Sequence, residues 1–366
     1  MPRYAHITGW GVAVPEKVLT NDDLAQMVET SDEWIRARTG IRERRIASPE
    51  QTTATLATEA ALRALSVANL HPIDVDLIIV ATSSPEHLFP ATDCLVQDAI
   101  GAQKAGAFDL LAACSGFIFA LNMATQAIRS CSIENALIIG AETLSRLVDW
   151  KDRNTCVLFG DGAGAFVLQA NDQPGGMLSA VMRSDGSGSD LLAIPAGGSR
   201  LPASLDTVHN NQHFIQMDGR EVFRFATRVM AQATREAVHA AKLTIEDIHW
   251  IIPHQANQRI LEAAARGLDI PMERVIVNLD RYGNTSTASI PLAVCEAVEQ
   301  GKLKAGNRVV FVGFGAGLTW GAAVAQWTGP FPVKRKVQPR RYRWLARLRS
   351  LLHRLRRHLE GLLWKD

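Results

Sequence analysis

The sequence predicts an α/β fold built from two similar halves, and three observations lead to it. Apolar strand-like runs alternate with helix-length segments, as parallel sheets with crossover helices require. Three of these runs recur, in order, at nearly one spacing. Aromatic residues make up only 6% of the 366 residues while alanine and glycine abound, a composition that suits closely packed layers of helix and sheet.

The first recurring run covers 74–81 and is answered by 246–254, with Asp76 and His249 lying 173 positions apart. The second, 107–111, leads to Cys114 and a helical stretch ending at Ile128. Its counterpart, 275–279, leads to Asn284 and a helical stretch ending at Val298, so Cys114 and Asn284 are 170 apart. The third pair is 135–140 and 308–313. One such pair arises readily in any α/β enzyme; three in order point to duplication. The halves are expected at 1–172 and 173–330, with the Gly/Ser/Pro-rich stretch 183–206 as a connecting surface loop. Residues at the carboxyl ends of such strands share a crevice, and Cys114, His254 and Asn284 all fall there.

Charge divides the chain differently. From Phe331 onward there are 12 Lys/Arg and 2 Asp/Glu, a balance of +10, leaving 27 basic and 35 acidic residues in 1–330, a balance of −8. A mildly acidic body and a basic tail, 331–366, do different jobs. No secretory signal opens the chain, and no run reaches the roughly 20 apolar residues of a spanning helix. The five cysteines (94, 114, 131, 156, 295) show no CxxC spacing, so reduced thiols in a cytoplasmic protein are expected, with no metal site and no nucleic-acid partner.

Cys114 stands between small residues where an apolar strand gives way to a long helix. The positive end of a helix dipole lowers a thiol pKa, and a thiolate there can attack a thioester and carry the acyl group. The bland alternative, an inert buried thiol, is assigned to the other four cysteines. His254 follows 251–253, whose proline marks a strand end, and its neutral ring can donate a hydrogen bond or accept a proton. Asn284 is either a helix cap or, beside His254, a second donor to a thioester oxygen. The glycine-rich segments 160–164 and 313–317 lack the Lys-Ser/Thr of a phosphate loop and are expected as tight turns bringing backbone N–H groups to the crevice.

These residues, with 30–35 (Thr-Ser-Asp-Glu-Trp-Ile), 38–44 (Arg-Thr-Gly-Ile-Arg-Glu-Arg), 253–257 (Pro-His-Gln-Ala-Asn), 283–286 (Gly-Asn-Thr-Ser) and 319–321 (Thr-Trp-Gly), carry a resemblance. Over about residues 4–328 the chain resembles ketoacyl-(acyl carrier protein) synthase III of the thiolase superfamily. The resemblance implies a thiolase-like duplicated fold with layers in the order α-β-α-β-α. It implies that Cys114 takes a short acyl group from coenzyme A, and that malonyl-(acyl carrier protein) then decarboxylates and attacks it to begin fatty-acid synthesis. Coenzyme A is then a substrate and no cofactor is needed. By the same resemblance His254 and Asn284 hold the malonyl thioester oxygen, while Trp34, Arg38 and Arg153 contact coenzyme A. Phe314 and Ala316 line the site, Ala316 standing where glycine is common. Gln255, Ala256, Asn257, Gln258 and above all Arg259 form the carrier-protein docking segment. Phe89 crosses a homodimer interface to close the partner's acyl pocket.

The tail departs from the resemblance. Trp344, Leu345, Leu348, Leu351, Leu352, Leu355, Leu359, Leu362 and Leu363 recur at three- and four-residue spacing with arginines between them, which predicts a basic amphipathic helix. Such a helix lies on an anionic membrane surface, grips an acidic partner, or packs on the body or another subunit. Two other functions compete with the initiating synthase: a related acyltransferase or secondary-metabolite condensing enzyme with a different acceptor, and a non-catalytic scaffold.

Overall fold

The computed structural model describes residues 3–331 and 337–363; the side chains of Tyr342 and of 361–363, and with them Leu362 and Leu363, lie outside the described set. The first sheet has five strands in the order Tyr4–Ala13, Gly162–Asn171, Asn135–Glu142, Leu77–Ala81, Gly106–Leu110. The first two pairings are antiparallel and the last two parallel. The second sheet runs Gly176–Ser184, Thr319–Gln326, Arg308–Gly315, Trp250–Pro253 with the same senses. Leu77 and Trp250, like Asn135 and Arg308, begin corresponding strands 173 residues apart.

The second sheet lacks a ladder counterpart to the edge strand Gly106–Leu110. The run 275–279 makes only an isolated bridge, Ile251 to Val275. Gln255 explains the loss: its amide donates to Ile276 O (3.1 Å) and its carbonyl accepts from Asn278 N–H (3.0 Å), so a buried side chain replaces the ladder.

Strand alternation builds the layers. Leu137, Ile139 and Val80 face the helices Thr53–Ala68 and Thr92–Ile100. Ile138, Ile79 and, from the other sheet, Val309 and Phe311 face the helices Gly116–Arg129 and Ser289–Glu299 sandwiched between the sheets. Val310, Val312 and Val324 face the outer helices Gly219–Ala240 and Gln258–Leu268. The result is α-β-α-β-α. The middle layer is wholly apolar where Phe117, Leu121 and Ile128 pack, each side chain worth about 1.5–3 kcal/mol on burial.

Two sequence expectations change. Residues 183–206 are not simply a connecting surface loop: they begin in the strand Gly176–Ser184, and Leu192–Ala193 pairs with Gln216–Met217. The link between the sheets is the short turn 172–175. The glycines of 160–164 mostly open the strand Gly162–Asn171 and allow close approach of the Asn284 segment, since a Cβ on Gly160 would lie 2.3 Å from Tyr282 O.

The tail forms a helix, Pro339–Leu363, about 37 Å long. It lies outside the layered body against the helices Thr92–Ile100 and Thr53–Ala68.

Candidate active site

Cys114 lies on a single 3-10 turn, Ala113–Ser115, between the edge strand and the central helix. Ala113 holds φ +46°, a left-handed conformation that costs a non-glycine residue about 1–2 kcal/mol. The kink turns the thiol into the crevice. Ser286, 173 residues on, holds φ +47° and opens the matching turn, Ser286–Ala288, ahead of Ser289–Glu299. Cys114 thus corresponds to Thr287, and Asn284 stands two residues before the second kink. The 170-residue pairing of Cys114 with Asn284 was an approximation to a true offset of 173. Gly315 makes room for the nucleophile, because a Cβ there would sit 2.6 Å from Cys114 N.

The thiol does not have the lowered pKa expected at a helix start. Burial pushes it up to about 12; Ser286 opposes this and the Glu142 carboxyl adds to it. Desolvation therefore dominates over the hydrogen bonds that favour thiolate, and the resting group is the thiol. Glu142 is fully buried, raised by that burial, and held by Ser84 Oγ (2.6 Å), Thr287 Oγ (2.9 Å) and Ser83 N–H.

His254 follows the strand Trp250–Pro253, and its ring meets Phe314 edge-on with centroids 5.6 Å apart. Burial lowers its pKa to about 3, so the imidazole is neutral. Its Nδ1 lies 2.8 Å from Ser289 Oγ, which lies 2.7 Å from Ser286 O. The Ser289 hydroxyl has one hydrogen and two acceptors in reach. When it donates to Nδ1, the ring carries its proton on Nε2 as a donor; when it donates to Ser286 O, Nε2 is an acceptor. Asn284 Oδ1 accepts from Ser286 N–H (2.9 Å), leaving the NH2 as its free end. Asn284 thus braces the kink through its carbonyl oxygen and is not the cap of the helix Ser289–Glu299.

Cys114, His254 and Asn284 line one narrow cavity of about 90 Å³ together with Phe314, Ala256, Asn257 and Phe223. On its other side Cys114 borders an apolar cavity of about 450 Å³ lined by Leu111, Leu144, Leu147, Phe159, Ile194 and Ala316, among others. Ala316 therefore borders the apolar cavity, and the segment read as a surface loop supplies Leu192 and Ile194 to its wall.

Trp34 is flanked by two guanidinium groups, Arg38 at 4.6 Å and Arg153 at 5.2 Å from the ring centroid. The helix carrying Trp34 is capped by Ser31, which accepts from Trp34 N–H. It ends at Gly40, whose φ of +80° and contact with Gln258 leave no room for a Cβ. Asn257 Nδ2 donates to Arg38 O (3.0 Å), tying this cluster to the narrow cavity.

The proposed docking segment divides. Gln255 is buried with its amide bonded inside the fold, and Ala256 is buried against the cavity, so neither can meet a macromolecule. Asn257 caps the helix Gln258–Leu268 and Gln258 bonds Glu262. Arg259 is exposed, its guanidinium 5.5 Å from the Phe223 ring. Phe89 is 86% exposed beside Leu88 and does not enter its own chain's cavity.

Sequence reasoning assigned no role to Ser289 or Glu142, which carry no motif of their own, nor to Ser286, although it closes the Gly-Asn-Thr-Ser motif. The recurring 173 offset, applied to Ala113, was the signal that finds Ser286. It also missed Glu296, which accepts from Asn278, Arg281 and Tyr282 and clamps the segment before Asn284.

Residues 108–186 match the family model described as 3-oxoacyl-(acyl-carrier-protein (ACP)) synthase III, and 238–327 the model for its C terminal. A beta-ketoacyl-(acyl-carrier-protein) synthase III of Roseiflexus sp. (strain RS-1) is 53% identical over 328 residues, covering 90% of this chain and 100% of its own. Among solved structures, 3-oxoacyl-(acyl-carrier-protein) synthase III from Aquifex aeolicus VF5 has a TM-score of 0.83 at 48% identity, over 88% of this chain and 100% of its own. The priming beta-ketosynthase from the R1128 polyketide biosynthetic pathway has a TM-score of 0.83 at 35% identity, over 90% and 98%. The family match ends ahead of the tail helix.

Proposed function

The chain belongs to the 3-oxoacyl-(acyl-carrier-protein) synthase III family, and we propose that Cys114, His254 and Asn284 carry that family's reaction here. The protein is an acyltransferase that condenses a short acyl-CoA primer with malonyl-(acyl carrier protein), initiating fatty-acid biosynthesis. The observation that carries the residue assignment is that the three side chains line one cavity between the Trp34 cluster and the apolar chamber.

Cys114 Sγ attacks the primer thioester carbonyl; the new C–S bond forms as the bond to the coenzyme A sulfur breaks, and the thiol proton leaves with that sulfur. The acyl chain occupies the apolar chamber. Malonyl-(acyl carrier protein) then loses CO2, and the electron pair of the broken C–C bond passes into an enolate. Asn284 NH2 and His254 Nε2–H, in the tautomer set by Ser289, donate to the enolate oxygen, each worth about 3 kcal/mol. The enolate carbon attacks the acyl carbonyl, the C–S bond breaks, and Cys114 leaves as a thiolate that takes a proton from water to return to the resting thiol. A neutral imidazole suits this task, because an imidazolium would protonate the carbanion and end the reaction.

Trp34, Arg38 and Arg153 suit the nucleotide end of coenzyme A, offering one aromatic face and two cations. Arg259 is the residue of its segment that can receive the carrier protein. Phe89, Leu88 and the edge strand Gly106–Leu110 are an apolar surface on which two copies pair, with Phe89 closing the partner's chamber. No cofactor enters this scheme, and a thiol nucleophile suits the reducing cytoplasm.

Incubated with acetyl-CoA, the protein gains one acetyl mass on Cys114, and Cys114→Ala does not. Malonyl-(acyl carrier protein) then releases CO2 and yields the 3-oxoacyl product. Acylation without condensation would move the assignment to an acyltransferase with another acceptor.

A further inference from the structure

The tail helix is docked the unexpected way round. Residues three and four apart share a helix face, and the face against the body is the polar one: Arg343, Ala346, Ser350 and Arg354. Arg340 and Arg343 pair with Glu59, Ser350 Oγ donates to Asp98 (2.7 Å), Arg354 lies 4.0 Å from Asp98, and Ala346 is buried over Gly101. The opposite face carries Trp344, Leu345, Leu348, Leu352, Leu355 and Leu359, which are 42–66% exposed, while Leu351 stands at the margin and borders the cleft between the helix and the body. An isolated helix of this charge would normally hide its leucines and leave its arginines in water. Here acidic groups of the body hold the arginines and the apolar stripe points outward along about 37 Å.

We propose that this stripe seats the enzyme on an anionic lipid bilayer, as a helix lying in the interfacial plane. The flanks suit that occupant. Arg347 and Arg349 stand at the two margins where the helix meets the body, and Arg356, paired with Glu360, lies on the Arg349 side; from these margins their guanidinium groups can reach phosphate headgroups when the leucines enter the acyl boundary. Trp344 belongs to the residue types that settle at that interface. No helix among the described residues is long and apolar enough to cross a membrane, so the contact is peripheral. Two other occupants fit less well. A second copy of the same helix would bring like charges together along its whole length. The carrier protein is served elsewhere: Arg259 lies on the helix layer outside the second sheet, whereas the tail lies beyond the helix layer outside the first. The acidic body resists an anionic surface, so the tail alone makes the attachment.

The test uses the full chain and sedimentation with vesicles. Binding to phosphatidylglycerol/phosphatidylcholine vesicles is expected, with little binding to phosphatidylcholine alone and weakening as salt rises. The double variant Leu352→Glu/Leu355→Glu should bind roughly a hundredfold more weakly, about tenfold per lost leucine, while condensing substrates in solution at the wild-type rate. That rate also shows the variant is folded. Arg347→Glu/Arg349→Glu, which keeps the apolar stripe, should lose the preference for anionic vesicles. Absence of vesicle binding by the wild type overturns the proposal. So does unchanged binding by the leucine variant. If that variant instead lowers the native mass or abolishes carrier-protein capture, the stripe belongs to a second copy or to the carrier protein, and the lipid assignment falls.

Discussion

At the scale of single residues, the site turns on who holds which proton. Cys114 rests as a thiol because burial outweighs the hydrogen bonds that favour thiolate. Below its pKa the thiolate fraction rises tenfold per pH unit, so alkylation of Cys114 by iodoacetamide should rise on the order of a hundredfold from pH 7 to pH 9. A plateau near neutrality would show that the helix dipole wins after all. Ser289 is a positioning residue, since it reaches the reaction only through His254 Nδ1. Ser289→Ala removes the hydroxyl whose donation to Nδ1, in the proposed scheme, keeps the proton on Nε2. Malonyl decarboxylation should then slow on the order of tenfold, the worth of one hydrogen bond, while acetyl transfer to Cys114 keeps its rate. Equal slowing of both half-reactions would make Ser289 merely structural. These roles were not legible in the sequence: a serine five residues after Asn284 looks like any helix-opening serine until the fold sets it under an imidazole.

At the scale of elements, the site is two mirrored strand–kink–helix units, and each kink needs a close approach that glycine permits. A Cβ on Gly140 would lie 2.2 Å from Thr287 O, just as one on Gly315 would meet Cys114 N. The second unit lacks a ladder strand, and side chains do the strand's work: Gln255 joins it to the sheet and Glu296 clamps it from the helix. Glu296 is mostly shielded from water and satisfies three partners. Glu296→Ala should lower unfolding free energy by about 2–3 kcal/mol in urea titrations and depress condensation more than acylation, because in the proposed scheme Asn284 serves only the second step. Here the sequence misled in an instructive way. The apolar run 275–279 has the composition of a strand, but composition does not say whether its hydrogen bonds go to a neighbour's backbone or to a buried glutamine.

At the scale of the whole molecule, the exposed surfaces set the assembly. The edge strand Gly106–Leu110 offers an unpaired backbone with Phe108 40% exposed, next to Leu88, Phe89 and Leu111, which are 78–86% exposed. Exposed apolar edges of this kind invite pairing with a second copy. Phe108→Glu should halve the native mass by light scattering and, with Phe89 withdrawn from the partner's chamber, reduce turnover. An unchanged mass would overturn pairing through this edge. The sequence by itself determined the α/β class, the recurring strands and the separate basic tail, and it singled out Cys114, His254 and Asn284, which the fold brings to one cavity. These are written in periodicity, residue type and spacing, which are local. Only the tertiary structure decided that Cys114 rests protonated, that Gln255 is internal cement and not a docking residue, that 183–206 helps wall the acyl chamber, and that the tail shows its leucines to the outside. Each depends on what a side chain is buried against, and burial is set by contacts between segments far apart in the chain.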